Sequence, residues 1–163
     1  MGLDMYLTKR QYVGGSYEHR RDKGTVKIAV FAGTENQELI EIPANEISHI
    51  TLDAGYWRKA NQIHNWFVQN VQNGVDEGQE SYVRCEQLGQ LKSVCEAILR
   101  AKKAHGSDSP QVLNLITETL PPKAGFFFGS TDIDEYYFAD LERTVEILKD
   151  IDKSKDYFYE ASW

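Results

Sequence analysis

Apolar and polar residues alternate from the first positions, Leu3, Met5 and Leu7 being separated by Asp4, Tyr6 and Thr8. A period of two is that of a strand with one buried face. Val26–Phe31, Glu38–Ile42 and Glu46–Leu52 read as three further strands. Turn chemistry separates them at Gly14-Gly15, Asp22-Lys23-Gly24, Gly33–Asn36 and Pro43–Asn45. This order predicts an antiparallel meander.

After Leu52 the period becomes helical. From Tyr56 to Val71, the residues Trp57, Ala60, His64, Phe67 and Val71 fall in one stripe. Arg58, Asn61, Gln62, Asn65 and Gln69 project from the other side, and Asn73-Gly74 stops the helix. Tyr82-Val83 reads as a short strand. Glu86–Lys103 repeats Leu88, Leu91, Cys95 and Ile98 at helical spacing. Ser109-Pro110 opens a helix to Leu120, which Pro121-Pro122 ends. Gly125–Gly129 reads as a brief buried strand. Ser130-Thr131-Asp132 then caps a long helix with Phe138, Leu141, Val145 and Leu148 inward.

The aromatic ending, Asp156–Trp163, predicts a terminal strand docked on the sheet. With no repeat and no linker, residues 1–163 read as a single domain. Its class is α+β: an antiparallel sheet, from the N-terminal meander plus the C-terminal strand, packed against three to four helices.

Composition narrows the functions. A chain of 163 residues can bury a core without staples, and its net charge of −7 opposes a general nucleic-acid binder. The acidity is uneven: ten acidic against four basic residues from Ser130 onward, three against six from Met1 to Val30. Such a gradient suits an acidic partner-binding face, a nucleic-acid mimic or, more plainly, a solvated helix face. No apolar run approaches a membrane span and the first residues lack a signal peptide's apolar stretch, so a cytoplasmic protein is expected. Cys85 and Cys95 form no disulfide framework, although a helix start at Cys85 can lower its thiol pKa. His19, His49, His64 and His105 are scattered, so neither a metal nor a cofactor is expected. No nucleophile elbow, phosphate loop or dinucleotide fingerprint occurs, which favours a binding protein over an enzyme.

Two stretches carry candidate chemistry. In the first, Arg58 and Lys59 suit anionic oxygens, Trp57 or Trp66 can stack, and Asn61, His64 and Asn65 supply hydrogen bonds. Each has a plainer reading, Trp57 and His64 as core and the two cations as solvated surface. In the second, Gly129-Ser130-Thr131 leads into a helix N-terminus, a geometry that cradles phosphates. Asp132, Asp134 and Glu135 occupy that first turn, however, which favours ordinary capping. The same carboxylates can face Arg58 or Lys59, with Ser130, Asp132, Glu135 and Tyr136 as the opposing wall.

The opening MGLDMYL (1–7), YWRKANQIHNWF (56–67), GFFFGSTDIDEYY (125–137) and the ending Ser162-Trp163 resemble a family of small proteins encoded by phages and prophages. One departure is Ile133, where the family pattern often has tyrosine. The resemblance implies an accessory protein acting on the host, in the host cell cytoplasm. Three functions follow as expectations. The first is binding of a small anionic or nucleotide-like ligand, countering host defence signalling. The second is inhibition of a host protein through the acidic helix from Asp134 to Asp152. The third is a small hydrolase or transferase using His64 and Glu135. A homo-oligomer is left open; a membrane partner is not expected.

Overall fold

The C-terminal strand lies inside the sheet, where a computed structural model of residues 2–12, 25–31, 37–43 and 46–163 places it between two others. β1 (Asp4–Tyr12), β4 (His49–Arg58), β5 (Ser81–Val83) and β6 (Asp156–Ser162) form a four-stranded sheet in the order β4-β1-β6-β5. β5 and β6 pair antiparallel, with Ser81 opposite Tyr159 and Val83 opposite Tyr157. β2 (Thr25–Phe31) and β3 (Gln37–Pro43) form a separate antiparallel pair, from Thr25↔Pro43 to Phe31↔Gln37. The α+β class and the antiparallel sheet are as the sequence predicts. The four N-terminal strands divide between two sheets in place of one meander, because β4 and β6 fill the two sides of β1. The turns expected at Gly14-Gly15, Asp22–Gly24, Gly33–Asn36 and Ala44-Asn45 lie outside the described residues.

Contacts divide the chain into two units, residues 1–9 with 53–163 and residues 10–52. The second contains the β2–β3 pair. The first contains α1 (Asn61–Asn70), α2 (Cys85–His105), α3 (Pro110–Thr119) and α4 (Glu135–Ile147). Its core joins Leu3, just before β1, and Met5 and Leu7 of β1 to Tyr157, Tyr159 and Ala161 of β6, the inward half of each alternation. Phe67 of α1 stacks flat on Tyr159, ring centres 3.9 Å apart, which seats α1 on the sheet. α2 presents Leu88, Leu91, Cys95 and Ile98 inward and packs against α3 and α4. Among the described residues no helix is long and apolar enough to cross a membrane.

Three local expectations are corrected. The first long helix starts at Asn61, not Tyr56, because Tyr56, Trp57 and Arg58 complete β4 with Trp57 inward. Lys59 then turns the chain in the left-handed region (φ 60°), while its N–H still donates to Leu3 O at 2.8 Å. Asn61 and Gln62, assigned to an outer polar face, are consequently buried. Gly125–Gly129 is a turn, not a strand, with Phe128 N–H donating to Gly125 O. Only Phe128 turns inward, and its ring folds so tightly over Gly125 that a Cβ there would lie 2.3 Å from it. Finally, Asp134 caps α4, its carboxylate accepting the Tyr136 and Tyr137 N–H groups. Ser130 and Asp132 bond to each other instead.

Candidate functional site

The two sequence stretches meet. A cleft of about 460 Å³ is lined by Arg58, Lys59 and Gln62 on one side. Gly129, Ser130, Asp132, Asp134, Tyr136, Tyr137 and Asp140 complete it. The meeting is built by backbone and amide hydrogen bonds. Leu3, at the entrance to β1, accepts from Lys59 N–H and donates to Phe127 O at 3.3 Å, so one residue holds both loops. Asn61 does the rest. Its Nδ2 donates to Ser130 O at 2.7 Å and to Phe128 O at 3.3 Å, and its Oδ1 accepts from Lys123 N–H at 2.9 Å. One buried carboxamide thereby satisfies three groups of the 123–130 loop, groups that would otherwise be costly so close to the core.

Two non-glycine residues in the left-handed region, Lys59 and Phe127, stand at this junction. Such backbone costs about 1–3 kcal/mol per residue and persists only where its surroundings over-determine it. Close approach explains two glycines. A Cβ on Gly2 would lie 3.2 Å from Lys59 Cε, and one on Gly129 would lie 3.2 Å from Lys59 Cβ. Gly2 and Leu3 thus serve the cleft as well as the sheet.

The lining mixes charge: two cations and three aspartates. Arg58 is exposed and lies 3.9 Å from Asp4, whose carboxylate also accepts from the Tyr56 hydroxyl. Asp134 is committed to the helix cap and Asp132 Oδ2 accepts from Ser130 Oγ. At the inner wall, Gln62 Nε2 donates to Asp140 Oδ2 at 3.1 Å. Burial raises the Asp140 carboxyl above the usual carboxylate range, and the Gln62 bond and Arg143 oppose that rise. Tyr136 stands at the rim, 81% exposed. Tyr137 is buried, with its hydroxyl donating to Leu120 O at 2.8 Å.

Of the residues singled out from sequence, Arg58, Lys59, Ser130, Asp132 and Tyr136 line this cleft. Trp57 does not: it is core, its Nε1–H donating to Thr144 Oγ1 at 2.9 Å. Asn61 sits behind the wall as its brace. Asn65 and Trp66 border a smaller recess of about 150 Å³ beside Pro121. Glu135 is exposed on the first turn of α4, outside the cleft lining.

His64 is 1% exposed and faces a second cavity of about 300 Å³ shared with Asn65, Asp76 and Lys123. Its Nδ1 is 2.7 Å from the Tyr159 hydroxyl and its Nε2 is 3.0 Å from Asp76. Both ring nitrogens are therefore occupied by groups other than Glu135, which removes the expected acid–base pair. Burial lowers the His64 pKa, with Asp76 opposing the shift.

The helix start does not lower the Cys85 thiol pKa. Burial, reinforced by Glu86, raises the Cys85 thiol, and burial pushes Cys95 up to about 12. Among the described residues no three His, Cys, Asp or Glu side chains group to hold a metal ion.

Gln62, Tyr137 and Asp140 join the site only through the fold. Asp140 had one signal in the sequence. It interrupts the inward set of α4 between Tyr137, Leu141 and Thr144, where a carboxylate needs a partner. Set against known proteins, the chain matches no family model, and no curated protein or solved structure resembles it at a significant level.

Proposed function

We propose that this protein is a small-molecule binding protein whose site is the cleft between the β4–α1 junction and α4. The observation that carries the reading is the convergence on one recess of two exposed cations, an exposed tyrosine ring and the bonded pair of buried Gln62 and half-buried Asp140. A recess of this size with a few convergent polar groups is what small-ligand sites use. The ligand is nucleotide-like: its anionic end lies toward Arg58 and Lys59, and its ring packs against Tyr136. Three aspartates in the lining oppose a ligand that is only anionic, so the ligand also carries hydrogen-bond donors. The motifs that resemble those of phage-encoded proteins contribute to both walls. That supports an accessory role in the host cytoplasm, sequestering a nucleotide signal.

Native mass spectrometry of protein purified from producing cells, followed by calorimetric titration with nucleotides, tests this. The expected result is a retained mass of a few hundred daltons that the Arg58→Ala, Lys59→Ala variant loses. A bare chain mass with no nucleotide binding would sink the reading.

One observation favours a second reading. Glu135, Glu142, Glu146 and Asp150 are all exposed on and just beyond α4, an acidic face suited to a basic protein partner. Association through it would weaken steeply with ionic strength, whereas ligand capture in the cleft would be less affected.

A further inference from the structure

Depth in the cleft sorts its chemistry. The cations belong to exposed residues, whereas Gln62 is 3% exposed and Asp140 is half-buried. A carboxylate accepts and does not donate, so Gln62 must turn its NH₂ group toward Asp140, and their bond at 3.1 Å fixes that orientation. Among the described residues the amide oxygen of Gln62 and the second carboxylate oxygen of Asp140 have no protein donor, and both residues line the cleft. Donors nearby are spent: the Tyr136 and Tyr137 N–H groups are held by Asp134, the Tyr137 hydroxyl by Leu120 O. The inner wall is thus acceptor-rich and the rim cationic.

Resting on the binding role given to this cleft, we infer that its ligand presents two adjacent N–H donors to Asp140 and Gln62 and an anionic group to Arg58 and Lys59. Two coplanar N–H groups match two neighbouring acceptor oxygens, here the second Asp140 oxygen and the Gln62 amide oxygen, as one N–H beside a ring acceptor does not. Two ligand sources share this chemistry. One is the guanine edge of a nucleotide, with its ring N–H next to an exocyclic NH₂. The other is a guanidinium compound such as arginine, whose α-carboxylate would serve as the anion. Adenine offers only its amino group beside a ring acceptor, which would face the Asp140 carboxylate unfavourably. Such a ligand would oppose the rise that burial causes in the Asp140 pKa, since paired N–H donors stabilise the ionised form.

Calorimetric titration of the full chain with GMP, AMP and L-arginine distinguishes these sources. GMP or arginine should bind about tenfold tighter than AMP, the discrimination of one good bidentate contact. Asp140→Asn keeps the shape, replaces one acceptor by a donor, and should erase that preference; thermal melting confirms that the variant is folded. Arg58→Ala should weaken GMP and AMP alike. Equal binding of GMP and AMP, with arginine no tighter, would overturn the inference and leave the cleft as a binding site. Failure of all three to bind would overturn the binding role as well.

Discussion

Lys59 shows in one residue how the site is stressed and held. Its backbone is left-handed, and its N–H and C=O are both bonded, to Leu3 O and from Asn61 N–H. Glycine adopts this conformation without the Cβ penalty. Lys59→Gly should therefore raise stability by up to about 1 kcal/mol in chemical denaturation, while weakening capture of any anionic ligand. A variant that lost stability would show that the lysine stem, not its charge, is what the junction needs. His64 poses a titration question. Its folded pKa is depressed below the ordinary 6.5, so the folded state binds its proton less readily than the unfolded chain. Its contribution is complete above about pH 6.5 and is lost as pH falls through the folded value. Denaturation midpoints of the wild type should decline as the pH falls below about 6.5. In His64→Gln that part of the decline should vanish.

At the scale of elements, the loop from Lys123 to Ser130 has little regular structure and is held by side chains. Asn61→Ala removes three hydrogen bonds and leaves two carbonyls and one N–H without their partner. The expected cost is about 2–4 kcal/mol, since orphaned buried groups cost more than the bond they lose. Hydrogen exchange should localise the effect to residues 121–130, with α2 unaffected; uniform deprotection would mean that the brace belongs to the global core. The strands β1 and β6 and the helix α2 were legible in the sequence because each keeps one period across its length. The β4–α1 boundary was not. Trp57, Ala60 and His64 are all buried in either reading, so a strand end followed by a helix mimics one helical stripe. Likewise, three consecutive phenylalanines imply a buried strand until Phe126, 76% exposed, is seen at the tip of a turn.

For the whole molecule, the division into two units makes a direct test. Every described member of the hydrophobic core comes from Leu3–Leu7 or from Ala54 onward. β1 and β4 are neighbours in the sheet, so a two-residue turn can replace residues 10–52 without breaking that pairing. The shortened chain should melt cooperatively and keep the near-ultraviolet signature of its buried Trp57 and Tyr159. Loss of cooperative melting would mean that the 10–52 unit contributes to folding of the rest. The C-terminal strand has the opposite status: β6 lies between β1 and β5 and carries Tyr157, Tyr159 and Ala161 into the core.

Local chemistry in the chain was enough to determine the α+β class, most elements, and which residue types gather near residues 58 and 130. Those properties depend on period, capping and turn residues within a few positions of one another. The tertiary structure decided what each polar residue does. Asn61 and Gln62 look alike in sequence, yet one braces a loop and the other faces Asp140, because α1 begins at Asn61 and turns both inward. His64 is sealed by Tyr159 and Asp76, groups 95 and 12 residues away. Contacts of that separation leave no local pattern, so only the fold could assign them.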